Sequence, residues 1–91
     1  MDAVRLRLAG ESELKAAKFS VGELVWHRLF RYRGVVFDVD PIFLGSEKWY
    51  EQMAKSHPPK DEPWYHVLVH QKGHQTYVAE QNLKPDPAIH N

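Results

Sequence analysis

The sequence predicts a mainly β protein, a small SH3-like and partly open barrel with one short helix inserted between two hairpins. Residues 21–41 hold two extended apolar segments around a short turn, and residues 63–83 repeat this arrangement. β-Branched and aromatic residues dominate these segments, as they do in strands. A proline-rich connector at residues 58–63, where neither helix nor strand would persist, joins the two halves. Closing such short strands into a barrel would also remove their exposed edges.

The first hairpin is predicted to contain two strands of different length. Leu24–Phe30 alternates between two faces, and the most regular strand follows it, with Val35, Phe37 and Val39 on one face. Gly34 lies where a β-bulge or a positive φ would require glycine. We therefore expect a tight hairpin with its tip at residues 31–33.

A short helix is predicted between the hairpins, over residues 46–55. Ser46 is suited to cap its N-terminus, because a serine side chain accepts a hydrogen bond from the first helical turn. Trp49 and Met53 are four residues apart and form one narrow apolar stripe. This stripe is the face with which the helix would pack on the barrel.

The second hairpin begins with a strand over residues 64–70. Tyr65, Val67 and Val69 share one face of this strand, which we expect to fill the barrel interior. A glycine-containing turn follows, and residues 75–79 return as the last predicted strand.

The chain divides into three regions, of which one is a domain. At 91 residues it is long enough to bury a single modest core. We expect residues 1–18 to form an N-terminal arm or edge strand, because apolar residues and arginines alternate over residues 4–8. The barrel domain comprises residues 19–84, and residues 85–91 form a short C-terminal tail.

Composition disfavours several classes of protein. Cysteine is absent, so we expect neither a disulfide framework nor a thiolate zinc site, which fits a reducing compartment. Neither a signal-peptide pattern nor a membrane-spanning apolar run occurs, so we expect a cytoplasmic protein without membrane contact. The 12 basic and 12 acidic residues balance, which disfavours binding of nucleic acid by bulk charge.

Neither a metal site nor a catalytic centre is expected. His66 and His70 are the best-spaced histidines, but on a strand they stand about 13 Å apart, too far to share one zinc ion. Asp38 and Asp40 share a strand face, as a catalytic pair would, although Asp-Pro sequences commonly end a strand and cap the next turn. We therefore predict no cofactor, no metal and no enzymatic activity.

One basic turn is a candidate for binding DNA. Arg28, Arg31 and Arg33 surround Tyr32 in a stretch without carboxylates, a pattern suited to clamping phosphates and stacking a base. Three phosphate contacts would make log K fall with log salt concentration with a slope of about −3. The alternative is a solvated hairpin whose arginines pair with carboxylates of this chain or of a partner.

Three apolar residues are candidates for binding protein. Trp64 and Leu68 lie on the strand face opposite to that of Tyr65. Trp26 likewise lies on the face opposite to that of Val25. If the Tyr65 face fills the barrel, these side chains must be covered by the helix through Trp49, by the N-terminal arm, by another subunit or by a client. Any part left uncovered would mark an interaction surface, with tryptophan as its anchor.

The order and spacing of these segments resemble the family of heat-shock protein HspQ, also called the YccV-like, hemimethylated-DNA-binding family. The resemblance runs from about residue 19 to residue 83 and implies the barrel fold. Two departures from the family pattern are the N-terminal arm and the short tail. The residues that match, and that the resemblance marks as fold-defining, are Gly22, Val25, His27, Gly34, Val35, Asp40, Pro41, Trp64, Tyr65, His66, Val67, Thr76, Tyr77, Ala79 and Leu83.

The resemblance implies a non-enzymatic heat-shock factor that acts as an adaptor or modulator of ATP-dependent proteolysis. The implied partners are a Lon-type protease and client proteins such as the replication initiator DnaA. The alternative function is binding of hemimethylated DNA through the basic hairpin Arg28–Arg33. The oligomeric state stays open, and a homo-oligomer is one of the options.

Overall fold

The computed structural model describes residues 16–89. Most of the arm expected at residues 1–18 therefore lies outside the described residues, as do residues 90 and 91. Within the described range the chain forms five strands, one α-helix and two 3₁₀ turns. In chain order they are β1 (Leu24–His27), β2 (Arg33–Asp40), α1 (Glu47–Met53), β3 (Trp64–Val69), β4 (Gln75–Ala79), a 3₁₀ turn (Glu80–Asn82), β5 (Leu83–Pro85) and a second 3₁₀ turn (Pro87–Ile89).

The strands form one antiparallel sheet in the order β4-β3-β2-β1-β5. The two predicted hairpins are β1–β2 and β3–β4, and α1 lies between them in the chain. The end strands β4 and β5 do not pair with each other, so the barrel-like sheet is not closed. The predicted fold class, a mainly β and partly open small barrel with one inserted helix, is confirmed.

The strand β5 is not predicted by the sequence pattern, because it has three residues and ends in proline. It pairs with β1, with Leu83 opposite His27 and Pro85 opposite Val25. The next residue, Asp86, is buried, and its N–H donates to the carbonyl of Leu24 at 3.1 Å. Pro85, which the sequence pattern assigns to a tail, therefore lies in the sheet, and the backbone of Asp86 is bonded to β1.

The strand predicted over Leu24–Phe30 ends early, at His27. The His27 ring is buried, and its Nδ1 accepts hydrogen bonds from the N–H groups of Leu29 and Phe30 at 3.1 and 3.0 Å. Two residues of the turn thus bond to a side chain instead of a neighbouring strand. Arg31, with φ of 60°, then reverses the chain into β2.

A β-bulge at Phe37 changes which residues of β2 face the core. Val36 pairs with Val67 and Asp38 pairs with His66, so Phe37 is the extra residue. Val36 is fully buried, whereas Phe37 is 39% exposed. The prediction that Val35, Phe37 and Val39 share one face is wrong, because the bulge shifts the alternation by one residue. Val35 pairs with Leu68 on the outer face, whereas Val39 pairs with Tyr65 and packs on the core.

Gly34 is required for a different reason from the predicted bulge or positive φ. It is an ordinary β2 residue, paired with Val69, and the bulge lies further along the strand. A Cβ at this position would come within 2.5 Å of Val67 Cγ1 and 2.6 Å of the Leu68 carbonyl oxygen. Close approach of β2 to β3 therefore excludes any side chain here.

The inner face of the sheet holds the main core. Tyr65, Val67 and Val36 are essentially inaccessible to solvent, as the period-2 pattern of the third strand predicts. Phe19 packs edge-on against Tyr65 with ring centroids 5.4 Å apart. The buried members of this core are Phe19, Val25, Val36, Tyr65, Val67, Val78 and Leu83.

The helix α1 covers one half of the outer face and buries Trp64, which is 1% exposed. The predicted cap is confirmed, because Ser46 Oγ accepts the Trp49 N–H at 3.0 Å. The indole of Trp64 contacts Trp49 and Tyr50, and its Nε1 donates to the Pro59 carbonyl at 3.0 Å. Trp64, which the sequence marks as a candidate for binding protein, is therefore covered by the helix.

No helix within residues 16–89 combines the length and the apolar character needed to cross a membrane.

Candidate functional site

The other half of the outer face is not covered by α1, and we call it the open face. Its centre is a row across three strands, in which Leu24 pairs with Val35 and Val35 pairs with Leu68. Leu24 and Leu68 are 40% and 39% exposed, so the row presents apolar surface to solvent. Trp26 lies on the same face of β1, two residues from Leu24, and is half-buried. Two residues that the sequence marks as candidates for binding protein, Trp26 and Leu68, therefore lie on one surface together with Leu24.

A groove of about 720 Å³ runs from this row to the turn between β3 and β4. The apolar row forms one side, and the turn residues 70–73 form the other. Three charged residues, Arg33, Lys72 and Asp86, are among those that line it. The open face is therefore concave and is bordered by charge.

Arg33 is held in place at the edge of the groove. Its Nε lies 3.3 Å from Asp86 Oδ2, and its guanidinium lies 5.8 Å from the centroid of the Trp26 ring. Asp86 is buried, and its other oxygen accepts the Ala88 N–H at 3.0 Å. The Arg33 side chain keeps 42% of its surface exposed, so a fixed cation faces the groove.

The two hairpin turns meet at one end of the sheet. The His70 N–H donates to the Arg33 carbonyl at 2.8 Å, which joins the turn after β3 to the start of β2. Residues 24–37 and 63–79 carry no carboxylate side chain. The end where these turns meet, which we call the basic end, carries the cations Arg28, Arg31, Arg33 and Lys72.

The acidic residues concentrate elsewhere. Residues 38–62, which form the end of β2, α1 and the connectors, contain six carboxylates and three lysines. The balanced net charge of the chain therefore conceals a separation of positive and negative ends. The sequence holds the signal for this separation, because both hairpins lack acidic residues around their turns.

The predicted DNA clamp is only partly formed. Tyr32 is half-buried, its hydroxyl bonds to Thr76 Oγ1 at 2.7 Å, and its ring packs on His27, so it is not a free stacking ring. Arg33 pairs with Asp86 and not with Glu23 or Asp38, the nearest carboxylates before and after it in the sequence. Arg28 and Arg31 are exposed, and Arg28 Nε donates to the Leu83 carbonyl at 3.3 Å.

A cluster of titratable residues lies at the end of β2. The sequence pattern places Asp38 and Asp40 on one strand face, but it does not bring His66 and Tyr77 to them. Oxygen and nitrogen atoms of Asp38, Asp40 and His66 all lie within 4.8 Å of one another, because the bulge in β2 places them side by side. Asp40 Oδ2 accepts the Tyr77 hydroxyl at 2.6 Å and lies 3.1 Å from His66 Nε2. Burial, followed by the bond to Asp40, raises the pKa of Tyr77 above its ordinary value.

This cluster has a structural explanation. Mixed carboxylate and imidazole donors are a set that divalent cations accept, but Asp40 Oδ2 already receives hydrogen bonds from two strands. The bonds tie the end of β2 to β3 and β4. The partner of His66 is thus Asp40 and not His70, which lies in the turn beyond β3.

One comparison with known proteins bears on this chain. A family model described as hemimethylated DNA-binding protein YccV-like matches residues 17–91. The match includes the arginine turn, the apolar row and β5, and it extends past the segment on which the sequence resemblance depends. The family is one of binding domains and not a known class of enzymes. The chain belongs to the YccV-like family.

Proposed function

We propose that this protein is a non-enzymatic heat-shock factor of the cytoplasm that acts as an adaptor for ATP-dependent proteolysis. Its role is to bind client polypeptides, with the replication initiator DnaA as one client, and to promote their degradation by a Lon-type protease. The open face is the surface that we propose for the client. The family resemblance supports the proteolytic role, and the geometry of the open face supports the binding of protein.

The observation that carries this proposal is the apolar row of Leu24, Val35 and Leu68, which α1 does not cover. Contiguous exposed apolar surface beside a half-buried tryptophan is typical of protein-binding sites. Leu24 and Leu68 both pair with Val35, so three hydrogen-bonded strands fix the backbone of the row before a partner binds. A preformed surface loses less conformational entropy on binding than a flexible one.

A degradation assay with purified Lon-type protease and an unfolded client tests the proposal. We expect the protein to increase the rate of client loss. The double variant Leu24→Ser/Leu68→Ser should abolish this increase, because both substitutions remove apolar surface from the open face. Met53→Ser is the matched control, since Met53 is 59% exposed but lies on α1, away from the open face.

Circular dichroism of each variant checks that the fold is intact before the rates are compared. An unchanged rate of client loss on adding the wild-type protein would overturn the proposal. An equal loss of activity in Met53→Ser and in the double variant would show that the open face is not the specific binding surface for the client.

A second candidate function is the binding of hemimethylated DNA by the basic end. The specific observation in its favour is the contact between the two turns, which adds Lys72 to the arginines of the first hairpin. Four phosphate contacts would give a salt slope of about −3.6 for duplex DNA. The description of the matching family also names this ligand.

Fluorescence anisotropy with hemimethylated, fully methylated and unmethylated duplexes at two salt concentrations tests this second function. We expect the hemimethylated duplex to bind most tightly and Arg31→Ala/Lys72→Ala to weaken binding of all three. Equal affinity for the three duplexes would reduce the interaction to attraction between charges. Lys55→Ala is the control, because Lys55 is exposed and follows α1, outside the basic end.

A further inference from the structure

We infer that the open face binds a client segment in which carboxylates lie two or three residues from aliphatic side chains. The inference rests on the proposed adaptor function and specifies the chemistry of the segment that is recognised. It follows from the position of the cations at one end of the apolar groove.

The apolar part of the recognition comes from the row of three aliphatic side chains. Neighbouring strands lie about 4.8 Å apart, so the row from Leu24 through Val35 to Leu68 is about 10 Å long. The groove beside it, about 720 Å³ in volume, has room for two or three aliphatic side chains of a partner. Burying them would supply most of the binding free energy.

The charged part comes from Arg33 and Lys72, which line the same groove. Asp86 is the acidic residue among those that line it, and it is 2% exposed and paired with Arg33. The charges of Arg33, Lys72 and Asp86 sum to +1, so an incoming carboxylate meets a groove of net positive charge.

The distances set the spacing of the recognised segment. Arg33 precedes Val35 by two residues on β2, which corresponds to about 7 Å along the strand. An extended ligand covers the same distance in two residues. A carboxylate two or three positions from an aliphatic side chain would therefore reach Arg33 or Lys72 while the aliphatic group lies on the row.

A flexible peptide fits these features better than duplex DNA. A peptide strand can enter the groove and cover the apolar row, whereas a rigid duplex resting on the basic end would leave Leu24 and Leu68 in water. Arg33 is also held by Asp86 and Trp26 at the groove edge, and not at the tip of the turn. We therefore assign the groove to an acidic and aliphatic peptide.

Binding of three matched fluorescent peptides to the full chain tests the inference. The first alternates leucine and valine with glutamate, the second has lysine in place of glutamate, and the third has serine in place of leucine and valine. We expect the first to bind at least tenfold more tightly than either of the others at 50 mM salt. Raising the salt to 300 mM should narrow the difference between the first two.

Charge reversal at the groove provides the second arm. Lys72→Glu should weaken binding of the glutamate peptide at least fivefold and strengthen binding of the lysine peptide. Lys55→Glu, on the acidic side of the molecule, makes the same change in net charge and should leave both affinities unchanged.

The outcomes separate the inference from the proposed function. Equal binding of the glutamate and lysine peptides, unaffected by Lys72→Glu, would overturn the inference while leaving an apolar client site in place. Failure of all three peptides, together with full adaptor activity of Leu24→Ser/Leu68→Ser, would overturn the inference and remove the open face as the client site. The adaptor function itself is overturned only if the wild-type protein leaves the rate of client loss unchanged. Displacement of the glutamate peptide by an equimolar short DNA duplex would overturn the inference in favour of a nucleic-acid ligand.

Discussion

The hydroxyl of Tyr65 donates a hydrogen bond to Glu80 Oε1 across 2.5 Å, and both side chains are buried. The same hydroxyl accepts the N–H groups of Lys18 and Phe19 at 3.0 and 3.2 Å. The Lys18 N–H also lies 3.0 Å from Glu80 Oε1. These bonds connect the segment that precedes β1, the start of β3 and the 3₁₀ turn after β4, so they stabilise one end of the barrel.

Tyr65→Phe should destabilise the protein by about 1–3 kcal/mol, because it leaves the buried Glu80 carboxylate and the N–H of Phe19 without this partner. Urea denaturation at pH 7 measures the change in the free energy of unfolding. Tyr32→Phe is the control, because the Tyr32 hydroxyl bonds to a threonine hydroxyl and not to a carboxylate. A smaller loss in Tyr65→Phe than in Tyr32→Phe would contradict this role for the hydroxyl.

Alkaline pH should weaken the fold. Burial, and next the hydrogen bond to Glu80, raises the pKa of Tyr65 above its ordinary value of 10.0. In the unfolded chain the phenol ionises near pH 10, whereas in the fold it stays protonated. Stability is therefore complete below pH 10 and falls as the pH rises beyond it. Unfolding free energies between pH 8 and pH 11 should show this fall, with a shallower slope in Tyr65→Phe; parallel slopes would refute the assignment.

Acid pH should weaken the turn between β1 and β2. Burial lowers the pKa of His27, and its Nδ1 accepts two backbone N–H groups, which requires the neutral ring. The stability that this gives is full above the unfolded pKa of 6.5 and is lost as the pH falls through the lower folded pKa.

His27→Asn tests this acid dependence, because the amide oxygen of asparagine accepts hydrogen bonds and does not titrate. We expect the difference in unfolding free energy between wild type and variant to shrink from pH 7.5 to pH 5. His70→Asn, at an exposed position, is the matched control for replacing a histidine by asparagine. A constant difference between wild type and His27→Asn would contradict the prediction, because it would mean that the pKa of His27 is the same in the folded and unfolded states.

Gly34→Ala should destabilise the protein by about 1–3 kcal/mol through steric overlap. The new Cβ would meet Val67 Cγ1 and the Leu68 carbonyl oxygen, and the latter is backbone that cannot rotate away. Gly22→Ala is the comparison, because a Cβ there meets open space and the cost comes from its φ of 95° alone. Thermal unfolding that ranks Gly22→Ala as the more damaging change would contradict the close packing of β2 on β3.

Local features of the fold are those that the sequence predicts. The two hairpins, the helix and its Ser46 cap depend on neighbours within a few residues, so period and capping chemistry reveal them. The bulge at Phe37 depends on how β2 pairs with β3, and nothing in an unbroken apolar run marks where the extra residue lies. One unmarked residue thus reverses the predicted faces of half a strand.

The candidate site is predicted less completely for the same physical reason. Leu68 and Trp26 are found on the open face as alternation predicts, but only the packing of α1 decides that Trp64 is covered and Leu68 is not. Arg33 and Asp86 are far apart in the sequence, and they pair because β5, a strand that ends in proline, lies beside β1. The position of Lys72 beside Arg33 follows from the contact between two turns.

The central claim is that the open face binds polypeptide, and a nuclear magnetic resonance titration tests it most directly. The ¹⁵N-labelled protein is titrated with an unfolded client, and changes in amide chemical shift are mapped onto the sheet. We expect the largest changes at Leu24, Val35 and Leu68, with little change along α1. Changes confined to α1, or to the tip around Arg31, would contradict the claim.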